Sequence, residues 1–303
     1  MRRLEPIAVV LFLLVSWQAG ADHAAQAQLE AGSGAVVRVY RTVGPEAGRR
    51  TLKAYVFAPA GRKDRGAPPA AAVLLFHGGG WSAGGADWTF PAAEHFAALG
   101  MVAISVEYRL SEGEVTPIEA LSDVCAAFRW AREEASTLGL DPRRVAGYGV
   151  SAGGHLVAST VTVGCPPGGA QSARSVPDAL LLLSPAVDVA GDGWFGKLLH
   201  GRAAAAAYSP VEHVRKGVPP AFVVQGAADT LTPPAGARRF CAALQSAGAV
   251  CQLELFAGLG HLLTRDLADQ ESHYDPDPAA RAEAAARQDL FLRKLGYVRE
   301  PGR

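Results

Sequence analysis

The chain has 303 residues, 49% of them hydrophobic, enough apolar material for one large core or two smaller ones. Lysine plus arginine and aspartate plus glutamate each total 29, so the formal net charge is zero. No basic field is available to hold nucleic acid or an anionic membrane surface, and a neutral small or polymer-linked substrate suits this balance better.

At the N-terminus Arg2 and Arg3 precede an apolar run over 7–17 and small residues ending Ala19-Gly20-Ala21, the pattern of a removable export signal over 1–21. Ala25-Gln26-Ala27 offers a second processing point as late as residue 27. The run is shorter than the roughly 20 residues a membrane-spanning helix needs. The expectation is therefore an exported protein, periplasmic or secreted, with no stable span after processing.

Residues 36–43 and 52–58 read as an opening hairpin around Gly44-Pro45-Glu46-Ala47-Gly48, and 61–69 as a surface loop. Apolar runs at 72–76, 102–107, 145–148, 179–183, 221–225 and 252–256 then alternate with stretches at helical spacing over 91–99, 117–138, 152–163, 234–247 and 278–295. Asp141-Pro142 is expected to close the second of those helices. This alternation predicts a single α/β domain over 30–297, its sheet mainly parallel and covered by helices on both faces. Residues 188–219 carry Trp194, Phe195 and Leu198 without a clear strand, and they follow a strand end, where sites in open α/β sheets form.

Three segments carry the chemistry. Gly149-Val150-Ser151-Ala152-Gly153 lies between a predicted strand and a predicted helix, and small neighbours are what a serine on a sharp, strained turn requires. His77-Gly78-Gly79-Gly80-Trp81 follows the strand at 72–76, and its glycines let backbone N–H groups approach a developing oxyanion. No Gly-Lys-Ser/Thr follows, and the spacing is not that of a dinucleotide loop. Asp229 and His261 lie just beyond the strands at 221–225 and 252–256, giving the chain order serine, acid, histidine of this kind of triad. Asp188, one strand earlier, is the rival acid. His77 reads as structural support for the glycine loop, and His155 as turned away from the serine.

HGGGW at 77–81, EYRL at 107–110, RWAR at 129–132, GLDPRRV at 139–145, GVSAGGHL at 149–156, GAADTLTPP at 226–234 and GLGHLL at 258–263 together resemble the bacterial esterase/lipase family of the α/β-hydrolase fold, which is related to hormone-sensitive-lipase-like carboxylesterases and to acetyl and feruloyl esterases. The resemblance spans roughly residues 50–295. It implies an oxyanion hole of Gly79, Gly80 and Ala152, no metal or organic cofactor, and hydrolysis of carboxylic esters through an acyl-enzyme. Two departures stand out: Val150 occupies a place where hormone-sensitive-lipase-like members commonly carry aspartate, and little chain separates the leader from the first strand. Both point to a branch with little or no N-terminal cap and to short acyl groups, acetyl or feruloyl esters among the candidates.

Trp81, Val150, Trp194, Phe195 and Leu262 are the residues expected to wall the substrate pocket, although the aromatic ones also suit a core. The four cysteines match no zinc spacing. Cys241 falls in the helix before the strand that starts near Cys251, while Cys125 and Cys165 lie on or after helices flanking the serine strand, so disulfides 241–251 and 125–165 are expected in an oxidising compartment. The alternatives from the same sequence are an amide hydrolase, arylformamidase-like or peptidase-like, and a catalytically silent binding protein on this fold.

Overall fold

The computed structural model describes residues 34–59, 68–166 and 173–298; the expected export signal and most of the 61–69 loop lie outside them. Eight strands form one sheet in the order β1-β2-β4-β3-β5-β6-β7-β8: β1 Val36–Val43, β2 Arg50–Phe57, β3 Ala70–Phe76, β4 Val102–Val106, β5 Leu140–Val150, β6 Ala179–Leu183, β7 Ala221–Gly226 and β8 Cys251–Phe256. The first two strands are antiparallel to their neighbours, and from β4 onward every pairing is parallel.

The central strands β4 and β6 are buried at every position, as expected where helices cover both faces of a parallel sheet. One face packs on α2 (Pro117–Glu133), α4 (Ala152–Thr162) and α6 (Pro234–Ser246), meeting them through Leu74, Phe76 and Leu182. The other packs on α1 (Phe90–Ala98) and α7 (Pro278–Lys294) through Val73, Leu75 and Phe222. Thr116 and Glu119 form a capping box at the start of α2.

That helix does not run unbroken to 138 as expected. It ends at Glu133, the short α3 (Ala135–Leu138) follows, and Gly139 caps the latter with φ 69°. Asp141 and Pro142 already belong to β5, which is tolerated because the ladder jumps from Ala70↔Leu140 to Ala72↔Val145 and leaves the intervening residues of β5 bulged out of register. The 188–219 region holds α5 (Gly193–Leu198) and 3-10 turns at Ala205–Tyr208 and Pro210–His213. Arg202 anchors it to α2 through Glu119, 2.7 Å away. Cys125 is bridged to Cys165, and Cys241 to Cys251.

Candidate active site

All the motif-bearing loops leave the sheet at one end. His77 follows β3, Ser151 follows β5, and Asp229 and His261 follow β7 and β8. Parallel strands share one direction, so the fold itself gathers these four loops on the C-terminal side of the sheet.

Ser151 sits between β5 and α4 with φ 51° and ψ −115°, a strained conformation for a residue with a side chain. The turn closes only because its neighbours lack side chains: a Cβ on Gly149 would stand 2.6 Å from Gly153 O, and one on Gly153 would stand 2.2 Å from Phe76 O. Ser151 Oγ is 3.0 Å from His261 Nε2, and His261 Nδ1 is 2.8 Å from Asp229 Oδ2. With Nδ1 donating to the carboxylate, Nε2 is left as the acceptor that faces the serine hydroxyl.

Asp229 is buried and held by four further donors. Leu231 N and Thr232 N donate to Oδ1 at 3.0 and 2.9 Å, while Gln225 Nε2 and Thr232 Oγ1 reach Oδ2 at 2.7 and 2.9 Å. Burial pushes this carboxyl up, but the His261 hydrogen bond and charge and the Thr232 contacts outweigh it and leave the pKa below the ordinary value. The rival Asp188 instead pairs with Arg239, which also reaches Glu212, and makes no contact with His261. Gln225 lies outside the motifs recognised in the sequence and Thr232 lies within GAADTLTPP without a role assigned to it; their positions four before and three after Asp229 gain meaning only once the β7 turn is formed.

The glycine loop lies against the serine. A Cβ on Gly78 would be 3.2 Å from Ser151 Cβ, and Gly79 has φ 105° with its missing Cβ occupied by the Ala83 carbonyl. Among the described residues the N–H groups of Gly79, Gly80 and Ala152 engage no hydrogen bond. His77 Nδ1 bonds Gly78 O at 2.6 Å and its ring stacks on Tyr108, whose hydroxyl donates to His77 O at 2.9 Å. Burial lowers His77 to about 4, so it is a neutral brace for the loop.

The expected pocket residues divide. Trp194 is 51% exposed and donates Nε1–H to Gly80 O at 3.1 Å, which puts it at the mouth of the loop. Val150 and Leu262 are partly exposed on either side of the serine and histidine. The expectation for Trp81 and Phe195 is corrected: at 3% and 0% exposure their rings pack on each other and on His155, behind the site and not along an open pocket. Core packing is the more favourable use of large aromatic surface here, since α5 folds back over the loop and removes both rings from water. His155, expected to be turned away from the serine, accepts Trp81 Nε1–H on Nδ1 at 3.1 Å and bonds Tyr208 O through Nε2 at 2.8 Å. It thereby ties the glycine loop, α4 and the 188–219 region together.

Among the described residues no cluster of three His, Cys, Asp or Glu side chains is arranged to hold a metal ion, and no helix is long and apolar enough to cross a membrane. A serine on a strained turn, an imidazole and a buried carboxylate in line, with an open glycine loop beside them, have the arrangement that serine hydrolases use.

A family model of the alpha/beta hydrolase fold matches residues 73–197. Esterase 2 of the Planctomycetes species Thermogutta terrifontis, a thermophilic esterase, shares 31% identity and superposes with a TM-score of 0.76 over 89% of this chain and 95% of its own. That protein has also been solved with propionate bound, with butyrate bound and phosphoramylated by tabun. Carboxylesterase NlhH of Mycobacterium tuberculosis is 44% identical over 87 residues, 28% of this chain and 27% of its own length. Esterase LipC of the same organism is 29% identical over 225 residues, 66% of this chain and 55% of its own. The chain thus spans between about a quarter and about half of the length of these curated relatives. It belongs to the bacterial esterases of the α/β-hydrolase fold.

Proposed function

We propose that this protein is a serine carboxylesterase that hydrolyses short-chain esters through an acyl-enzyme, with Ser151 as nucleophile, His261 as general base and Asp229 as the group that orients and charges against the imidazole. The observation that carries the reading is the continuous relay from Ser151 Oγ to His261 Nε2 at 3.0 Å and from His261 Nδ1 to Asp229 Oδ2 at 2.8 Å. As Oγ attacks the ester carbonyl, its proton passes to Nε2, and the imidazolium that forms is stabilised by the ionised Asp229. The N–H groups of Gly79, Gly80 and Ala152 are suited to receive the oxyanion. Collapse expels the alcohol with the Nε2 proton, and water repeats the sequence on the acyl-enzyme to release the acid.

Short acyl groups are favoured by the half-exposed Trp194 fastened across Gly80, which restricts the space beside the glycine loop. The propionate-bound and butyrate-bound states of the Thermogutta esterase support the same size range. A long chain needs apolar cover along its whole length, because each CH₂ shielded from water contributes only about 0.8 kcal/mol. Acetyl and feruloyl esters, free or linked to polysaccharide, fall within the proposed range, and the Arg2-Arg3 leader with its apolar run supports action outside the cytoplasm.

The test is a panel of 4-nitrophenyl esters from acetyl to palmitoyl, with an anilide of matched acyl group. The expected profile of kcat/KM peaks between acetyl and butyryl, falls steeply beyond about eight carbons as apolar cover runs out, and broadens in Trp194→Ala. Faster turnover of the anilide than of its ester would favour an amide hydrolase, and efficient cleavage of emulsified long-chain triglyceride would contradict the short-chain assignment.

A further inference from the structure

Between the histidine loop and α7 the chain makes an excursion over 264–276 that is closed at its base. Thr264 and Pro276 form an antiparallel bridge, Arg265 N donates to Asp275 O at 2.8 Å, and Asp277 N donates to Leu263 O at 2.9 Å. From this loop the buried side chain of Gln270 reaches back beneath the active site. Its Oε1 accepts the N–H of His261 at 2.9 Å and that of Thr230 at 3.1 Å, and its Nε2 donates to Ala228 O at 3.0 Å. Two donors on one end and an acceptor on the other fix which way the amide points. Gly260 leaves room for it, since a Cβ there would stand 2.5 Å from Gln270 Cδ.

The acid and base loops are also joined directly, by Ala227 N to Phe256 O and Ala228 N to Leu259 O, both 2.9 Å. Those bonds stop short of the reacting residues. Gln270 extends the connection to the residues on either side of Asp229 and to the backbone of His261 itself, and it satisfies the buried N–H of His261 as well as the N–H of the more exposed Thr230.

We propose that Gln270 is a positioning residue for hydrolysis, an amide clamp that holds the Asp229 and His261 loops in the register at which carboxylate and imidazole meet. The proposal rests on the Ser151-His261-Asp229 reading. It predicts that the clamp acts on the chemical step and leaves ester binding largely alone, because the hydrogen bonds of Gln270 go to Ala228, Thr230 and His261 and to neither the glycine loop nor Trp194.

The experiment compares the full-length wild-type enzyme with Gln270→Met, which keeps the volume and loses all three hydrogen bonds, and Gln270→Glu, which keeps the shape and an acceptor oxygen. Active-site titration normalises each to folded enzyme. For Q270M the expected result is a kcat for 4-nitrophenyl butyrate about 10- to 100-fold lower, a KM within about threefold of wild type, and a Ser151 phosphonylation rate reduced by the same factor as kcat. Q270E is expected to exceed Q270M at least about fivefold in both rates, since one oxygen still receives the two N–H groups. A filler of space would be replaced by methionine without such a loss. Q270M with kcat and phosphonylation within about twofold of wild type overturns the clamp, as does Q270E performing no better than Q270M; if Q270M fails to fold, Gln270→Ala, which also loses all three hydrogen bonds, takes its place, and both rates within about twofold of wild type in that variant overturn the clamp. Ser151→Ala runs in parallel: if it is inert while Q270M is normal, the clamp alone fails, and if it retains hydrolysis the triad reading fails and the clamp with it.

Discussion

Asp229 differs from Asp188 in what surrounds each carboxylate, and the difference makes a sharp prediction. Asp229 receives His261 and four other donors in a buried setting, whereas Asp188 faces the exposed Arg239. Asp229→Asn should lower kcat by roughly 10³- to 10⁴-fold with the fold intact, because an amide in that place favours the wrong histidine tautomer. Asp188→Asn should stay within about twofold, in line with a surface pair that contributes little; steady-state kinetics of the two variants check both statements. The buried histidines set a separate prediction. His77 and His155 are held by burial at about 4 against an ordinary 6.5, so between those values the unfolded chain binds more protons than the native one. Their contribution to stability is complete above pH 6.5 and is lost as pH falls towards 4, and the lowered Asp229 adds a loss of the same sign in acid. Thermal midpoints measured from pH 7 to 4 should therefore fall, and the fall should be shallower in His155→Gln, which has one fewer group to titrate.

At the scale of elements, the two bridges act on different parts of the sandwich. Cys125–Cys165 joins α2 to the chain beyond α4 across a separation of 40 residues, while Cys241–Cys251 joins α6 to β8 across 10. Loop-closure entropy makes the longer link worth about 4 kcal/mol and the shorter about 3 kcal/mol. Urea unfolding of the two double Cys→Ala variants should rank them in that order, in protein recovered from an oxidising compartment. The elements also explain what the sequence disclosed. Gly149 and Gly153 around Ser151 were readable because only residues without side chains fit that turn, and the buried strands were readable because parallel strands covered on both faces are apolar throughout. The start of β5 was not readable, since Asp141-Pro142 looks like a breaker and is accommodated only by a register jump against β3. Trp81 and Phe195 were misplaced at the pocket because their packing depends on His155, 74 positions from Trp81 in the chain, a contact that no local pattern encodes.

At the scale of the whole molecule, the eight-stranded sheet is a device for bringing four distant loops to one edge, and its catalytic meaning depends on a single serine being the reactive group. The zero net charge, the eight-strand architecture and the likeness to the Thermogutta esterase would equally suit a fold that has gone silent. The relay distances at Ser151 favour the reactive reading, because an imidazole aligned 3.0 Å from a strained serine hydroxyl is the arrangement that activates such a nucleophile. The most direct measurement is labelling with a fluorophosphonate, followed by peptide mapping and parallel assay of 4-nitrophenyl butyrate hydrolysis in wild type, Ser151→Ala and His261→Ala. The account predicts stoichiometric modification confined to Ser151 with complete loss of hydrolysis, no modification of Ser151→Ala, and labelling slowed at least about a thousandfold in His261→Ala. Modification at another residue, or hydrolysis that survives Ser151→Ala, would contradict it.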